Sequence, residues 1–169
     1  GCIEREMFEG GSVRCAINPE TGQELVYPQK PAASPKKVWI VGAGPAGLIA
    51  AFEANRLGHS VRLFEKEPVS GGNILYACKA PHKEIYLDWI QWQARQVEKA
   101  GVKIEAGTPV TPEMIVAEKP DAVILAQGGE KLIPPISGID MDHVFDAWQI
   151  LGETVAPGAS FAHIVDVMV

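Results

Sequence analysis

The chain has 169 residues, 47% of them hydrophobic, with 17 glycines, 13 prolines and a formal net charge of −6. That length can bury one sizeable core, the acidic balance and the lack of a basic stripe argue against a nucleic-acid partner, and no run approaches the roughly 18 apolar residues of a membrane span. The 3 cysteines, an odd number, give no disulfide framework and suit a reducing, cytoplasmic compartment.

Residues 1–15 carry Glu4, Arg5, Glu6 and Glu9 and no apolar h-region, so they do not read as a secretory signal peptide. The opening on Gly1-Cys2, and an apolar stretch over 160–169 that reads as a strand, suggest a piece of a longer polypeptide. Residues 1–35 are expected to form an irregular leader and linker. Turn signals fall at 9–12 and 18–22, and the proline-rich stretch 28–35 favours neither helix nor sheet.

Residues 36–169 are expected to form an α/β, Rossmann-like dinucleotide-binding domain with a central parallel sheet. A strand over 37–41 runs into Gly42, Gly44 and Gly47, and a helix follows over 45–57. This order is the fingerprint of a dinucleotide site: Gly42 permits the tight turn, Gly44 lets backbone approach a pyrophosphate, and Gly47 brings helix and strand together. The helix N-terminus offers amides and partial positive charge to the phosphates. A second strand over 60–65 ends at Glu65, placed where a carboxylate reaches both adenosine ribose hydroxyls and repels a 2′-phosphate. FAD, ADP or NAD(H) therefore fit better than NADP(H).

Residues 66–82 read as one long connection rich in Gly and Pro, of the kind that carries function. A helix over 83–99 follows, with Leu87, Ile90, Ala94 and Val97 on one face and Trp89 and Trp92 broadening that stripe as residues of core or domain-interface packing. Gly101 stops it, and 102–106 gives a short strand. Thr111 reads as an N-cap with Pro112 at the first helical position, opening a helix to about Glu118. Residues 122–126 read as a nearly uninterrupted apolar strand of the buried parallel kind, ending at Gln127-Gly128-Gly129, at the carboxyl end of a strand, where open α/β sheets keep their ligands. His59, His82, His143 and His163 are dispersed, and no catalytic acid, nucleophile or metal-ligand spacing emerges.

VGAGPAG at 41–47, RLFEKE at 62–67, SGGN at 70–73, GVKIEAGTPVT at 101–111, PDAVILAQGG at 120–129 and PPISGID at 134–140 together resemble the nucleotide domain of the old-yellow-enzyme-related iron–sulfur flavoproteins. That group includes 2,4-dienoyl-CoA reductase, 2-enoate reductase and trimethylamine dehydrogenase. The leader sharpens the resemblance, since Cys15-Ala16-Ile17-Asn18-Pro19 is similar to the segment carrying the last cysteine of a [4Fe-4S] motif in that family. By this resemblance Cys2 and Cys15 are the third and fourth cluster ligands, and Cys78 is not a ligand. Two thiolates alone would not hold the cluster.

The resemblance further implies that Gly42, Gly44, Pro45, Ala46 and Gly47 lie beside the pyrophosphate of FAD, that Glu65 binds the ribose and that Lys66 covers the adenine side. Gly71, Gly72 and Asn73 would pass near the pyrophosphate and ribityl chain, and Val110 would contact adenine through its backbone. Ala126-Gln127-Gly128 stands where relatives carry Ala-Thr-Gly, and Gln127 keeps hydrogen-bonding capacity. The implied parent is an NADH-dependent oxidoreductase acting on an activated C=C bond, with FAD here and FMN in a TIM barrel, the cluster passing electrons between them. The implied partners are the barrel and NAD-binding parts of the same polypeptide and a nicotinamide nucleotide, and a homo-oligomer is compatible with the sequence. Two alternatives stay open: a structural ADP-binding domain of an amine-dehydrogenase-like flavoprotein, and a non-catalytic docking module.

Overall fold

The structure is a computed structural model that describes residues 7–8, 10–25 and 30–152. The chain divides into two compact units, Gly1–Ala32 and Ala33–Val169. In the first, the expected second turn forms: the Thr21 and Gln23 amides donate to the Asn18 and Glu20 carbonyls at 3.3 and 2.7 Å. The Asn18 side chain accepts from the Glu20 amide at 3.0 Å, the local bond that makes asparagine a turn former. The strand expected within 160–169 lies outside the described residues.

The second unit is built on a four-stranded parallel sheet of order β3-β2-β1-β4. Its elements are β1 (Lys37–Val41), α1 (Pro45–Arg56), β2 (Ser60–Phe64), α2 (Ile74–Ala77), α3 (Ile85–Lys99), β3 (Ile104–Glu105), α4 (Pro112–Glu118), β4 (Ala122–Leu125) and α5 (Ala147–Leu151). The doubly wound architecture follows from the sequence pattern. Strands alternate with helices, and parallel pairing requires a crossover between partners.

Pairing of β1 with β2 puts Ile40 opposite Leu63, and pairing with β4 puts Ile40 opposite Ile124. The core lies on this face, where Val38, Ile40, Leu48, Ala51, Leu63, Ile90, Val97 and Val102 cluster from β1, β2, α1, α3 and the segment before β3. Full burial of a side chain such as Ile40, Leu48 or Leu63 contributes about 1.5–3 kcal/mol. Ile90 and Val97 are buried as the helical period requires, with Leu87, Ala94 and Trp89 packed against them. Trp92 does not broaden that stripe and is 50% exposed. On the α3 wheel it lies beyond the stripe that α1 covers.

The opposite face carries Trp39 and Phe64, whose rings meet at 4.6 Å, with the Arg62 guanidinium over both. Arg62 makes a two-pronged bond to Glu105, Nε to Oε1 at 2.7 Å and Nη2 to Oε2 at 2.9 Å, joining β2 to β3. The Arg62 hydrogen bond holds the Glu105 carboxyl below its ordinary pKa against a smaller opposing effect of burial. A carboxyl lowered in the folded state stabilises above its unfolded pKa, and that contribution is lost as pH falls through the folded value. Thermal unfolding from pH 7 down to pH 3 should therefore show a wild-type advantage over Glu105→Gln of about 0.5–1 kcal/mol that vanishes at the acid end. An advantage that persists at low pH would remove the ion pair as its source.

β4 corrects an expectation. It is parallel, as its sequence suggests, but not buried: Ile124 is 38% and Leu125 69% exposed. Among the described residues it is an edge strand paired only with β1, and an apolar run reads the same at an edge as at the centre. The long connection 66–82 also holds a helix, α2, and α5 was not anticipated; both are too short to show a period. The expected strand over 102–106 narrows to Ile104–Glu105. No helix among the described residues is long and apolar enough to cross a membrane.

Candidate functional site

From β1 the chain builds outward through β2 to β3, then returns to the other side of β1 for β4. The order reverses between β1 and β4, so the connections leaving their carboxyl ends diverge and open a crevice. The turn 42–44 leaves β1 at that point, and 126–128 leaves β4 beside it.

Glycine is required there by contact. Gly42 has φ +104°, and a Cβ on it would lie 2.3 Å from the Ala126 carbonyl oxygen. A Cβ on Gly47 would lie 1.8 Å from the Gly42 oxygen and 3.4 Å from the Ala126 Cβ. Backbone thus fills the space that side chains would take, and α1 sits directly on the β1–β4 junction. Gly44 differs: its φ is −77°, and the only neighbour of a Cβ within 4 Å would be the Gly72 Cα at 3.9 Å. A Cβ at position 44 would therefore make no more than ordinary van der Waals contact among the described residues.

Gly44 is also the N-cap of α1, with Pro45 at the first helical position and no side-chain cap. The opening amides of a helix have no acceptor within it, Pro45 contributes none, and no acidic residue occupies the first turn. Those of Ala46 and Gly47 therefore present positive polarity to the crevice side of the turn.

A second glycine segment closes on the first. The Gly71 amide donates to the Ala43 carbonyl at 2.9 Å, and a Cβ on Gly72 would lie 3.3 Å from the Gly44 Cα. Asn73 follows at the N-cap of α2 without capping it, and its Nδ2 lies 4.0 Å from where a Gly128 Cβ would be. Segments 42–47, 71–73 and 126–128 are thereby brought together. Gln127 leaves the backbone path intact, for the Ala126 amide still donates to the Val41 carbonyl at 2.8 Å.

Glu65 lies just past β2, 6% exposed. Its Oε2 accepts the Ala43 amide at 2.7 Å and its Oε1 the Glu67 amide at 3.0 Å. Its own backbone is fixed as well, donating to Glu105 at 3.0 Å and accepting from Thr108 at 2.8 Å. Ala43 and Glu67 are the contributors that motif reading passed over. Ala43 is the unspecified position of the GxG, where the backbone rather than the side chain acts. Lys66 is exposed and Val110 partly buried, two residues beyond Thr108, and neither is drawn into the glycine cluster by a hydrogen bond or ion pair.

Of the cluster ligands implied for the leader, Cys2 lies outside the described residues. The Cys15 Sγ accepts the Ile17 amide at 3.4 Å, a bond of the type that tunes ligating thiolates. No group of three His, Cys, Asp or Glu side chains able to hold a metal occurs among the described residues. Cys78 is buried, and its thiol donates to the Leu75 carbonyl at 3.4 Å.

A cavity of about 360 Å³ lies elsewhere, lined by residues including Lys131, Ile133, Pro134, Ile139, Met141 and Asp146, and shares no residue with the glycine cluster. Asp146 caps α5 in a capping box with Gln149 and pairs with Lys131. Burial pushes its carboxyl up, but the Lys131 hydrogen bond and charge and the Gln149 and Trp148 amides outweigh it and leave the carboxyl below its ordinary pKa.

The NAD(P)-binding Rossmann-like domain family matches residues 40–86, the span from β1 into α3. The chain is 39% identical over 159 residues to an NADH oxidase of Thermoanaerobacter brockii, covering 92% of this chain and 24% of that protein. It is 39% identical over 143 residues to a bilirubin reductase of Mediterraneibacter gnavus, covering 85% of this chain and 22% of that protein. Among solved structures it resembles a 2-naphthoyl-CoA reductase in complex with 2-naphthoyl-CoA, with a TM-score of 0.82 and 35% identity, over 89% of this chain and 23% of that one. The chain thus spans about a quarter of the length of the relatives it matches.

Proposed function

We propose that the chain is a FAD/NAD(P)-binding domain of a flavoprotein oxidoreductase related to the old-yellow-enzyme-like and amine-dehydrogenase-like enzymes, and that it holds the adenosine and pyrophosphate half of FAD in an NADH-dependent reductase of activated C=C bonds. The observation that carries this reading is the meeting of three glycine segments and a buried carboxylate at the reversal point of the sheet.

The residues fit the group. The space a Cβ would take at Gly44 gives a phosphate a path to backbone amides, and the first turn of α1 supplies positive polarity there. Gly42 and Gly47 hold that turn in place, Pro45 and Ala46 open the helix, and Gly71, Gly72 and Asn73 form the facing wall. Glu65 takes the ribose hydroxyls and discourages a 2′-phosphate, while Lys66 and Val110 lie toward the adenine. Ala126, Gln127 and Gly128 close the crevice from β4. When bound, FAD would supply hydride acceptance from NADH and onward electron transfer; this chain binds, orients and limits access.

The reductase reading draws its support from the 2-naphthoyl-CoA reductase and bilirubin reductase relatives, and the substrate is a matter for the rest of the polypeptide. FMN in a barrel and a [4Fe-4S] cluster, to which Cys2 and Cys15 would give two of the four thiolates, belong to the same proposal for the parent. Cys15 alone among the described residues does not make a cluster site, so no step here runs through iron. A second reading has a specific footing: every group brought together serves a portion common to FAD and ADP, so the same cradle would serve as an ADP clamp.

Denaturing freshly purified full-length parent, with mass spectrometry of the released nucleotides and an iron assay, separates the two. FAD with FMN is the expected result. ADP with FMN would replace the reductase reading by the clamp, and the absence of any adenine nucleotide would overturn both.

A further inference from the structure

Glu65 is placed to do more than meet a ribose. A carboxylate offers about four lone-pair sites, and the two amides at 2.7 and 3.0 Å take one on each oxygen. The remaining two suffice for a pair of ribose hydroxyls. The Ala43 amide belongs to the turn between Gly42 and Gly44, so the side chain at the end of β2 is tied directly to the loop leaving β1. The same residue, Ala43, accepts the Gly71 amide at 2.9 Å, and Gly71 leads the facing wall. One buried carboxylate therefore holds the residue, Ala43, through which the two glycine segments are joined.

We propose that Glu65 is a positioning residue for the phosphate cradle: its carboxylate holds the Ala43 and Glu67 amides and so keeps the turn that bears Gly44 set against Gly72 before any nucleotide arrives. This rests on the nucleotide-binding reading above and goes beyond the ribose contact. It couples the two halves of the ligand, because the group that recognises the sugar also sets the geometry met by the phosphates.

Charge alone makes the opposite demand. A carboxylate near an incoming pyrophosphate repels it, so removing the charge without disturbing the turn would tighten pyrophosphate binding. Glu65→Gln discriminates. Its amide oxygen can serve one of the two backbone donors, and its NH2 group then faces the other, leaving one N–H of the pair without its acceptor at the cost of roughly tenfold in any equilibrium that depends on it. Glu65→Asp keeps the charge and shortens the reach.

The test uses the 15N-labelled 169-residue chain. Amide hydrogen exchange at Ala43 and Glu67 is measured without ligand, and inorganic pyrophosphate and ADP are then titrated separately by NMR. In Glu65→Gln we expect exchange at one of the two amides to accelerate about tenfold and pyrophosphate affinity to fall about tenfold although a like charge has gone. ADP affinity should fall further. Unchanged exchange at both amides, or pyrophosphate bound as well or better while only ADP weakens, would reduce Glu65 to a ribose ligand and overturn the proposal. Should the glutamine variant fail to fold, Glu65→Asp gives the same two readouts with the charge held constant, and normal exchange and pyrophosphate affinity there would overturn it equally. If the wild type binds neither pyrophosphate nor ADP, the nucleotide reading fails while the exchange data still decide whether the strut exists.

Discussion

Gly47→Ala is expected to lower the thermal midpoint by about 6–12 °C, corresponding to roughly 3 kcal/mol in a chain of this size. The added methyl carbon would lie 1.8 Å from the Gly42 oxygen, and the obstacle is backbone, which cannot rotate away as the end of a side chain could. Relief requires α1 to lift from the sheet, and α1 carries Leu48 and Ala51 into the core. The cost therefore combines overpacking with lost burial, the mechanisms behind large single-site effects. A midpoint within about 2 °C of wild type by calorimetry would contradict this account of the helix–sheet contact.

Gly44→Val should do the reverse: leave stability within about 1 kcal/mol while reducing ADP affinity by roughly two orders of magnitude, about 2.7 kcal/mol. Residue 44 has a φ that any L-residue adopts, and the nearest atom to a new Cβ is 3.9 Å away. The fold has room for a Cβ at that position. On the nucleotide-binding reading proposed above, that room is where phosphate reaches the turn, so the loss falls on binding. Calorimetric titration beside a melting curve distinguishes the outcomes, and a variant that melts normally and still binds ADP well would place the phosphates elsewhere. Two glycines three residues apart in one motif thus serve separable purposes, one in packing and one in access.

Much of this was legible in the residues because backbone necessity leaves a mark on composition. Glycine at 42, 44 and 47 behind an apolar strand announces the turn, and Thr111 ahead of Pro112 announces a helix start that the structure realises, with Thr111 accepting the Met114 amide at 3.4 Å. The short helices were not legible by period, although Asp146 and Gln149 hold the capping-box spacing and offered a local signal for α5. The exposure of Leu125 could not be read from Ala-Val-Ile-Leu, because burial on a sheet depends on which elements flank a strand. Glu65 was legible as a strand-end carboxylate near the site, but its grip on Ala43 was not, since it depends on how closely the ends of β1 and β2 approach.

The same strand order that opens the crevice also sets when it can be assembled. β1 and β2 close a short loop, pairing Lys37 with Ser60, whereas β1 waits for a far more distant partner before Val38 meets Ala122. The longer closure costs about 1 kcal/mol more in chain entropy, and contacts of greater sequence separation form late in slow-folding topologies. The Gly42 turn and its Glu65 tether belong to the early unit, while Ala126 to Gly128 arrive with the last strand. A chain emerging from the ribosome would therefore hold the Gly42 turn against the 71–73 segment before residues 126–128 reach them.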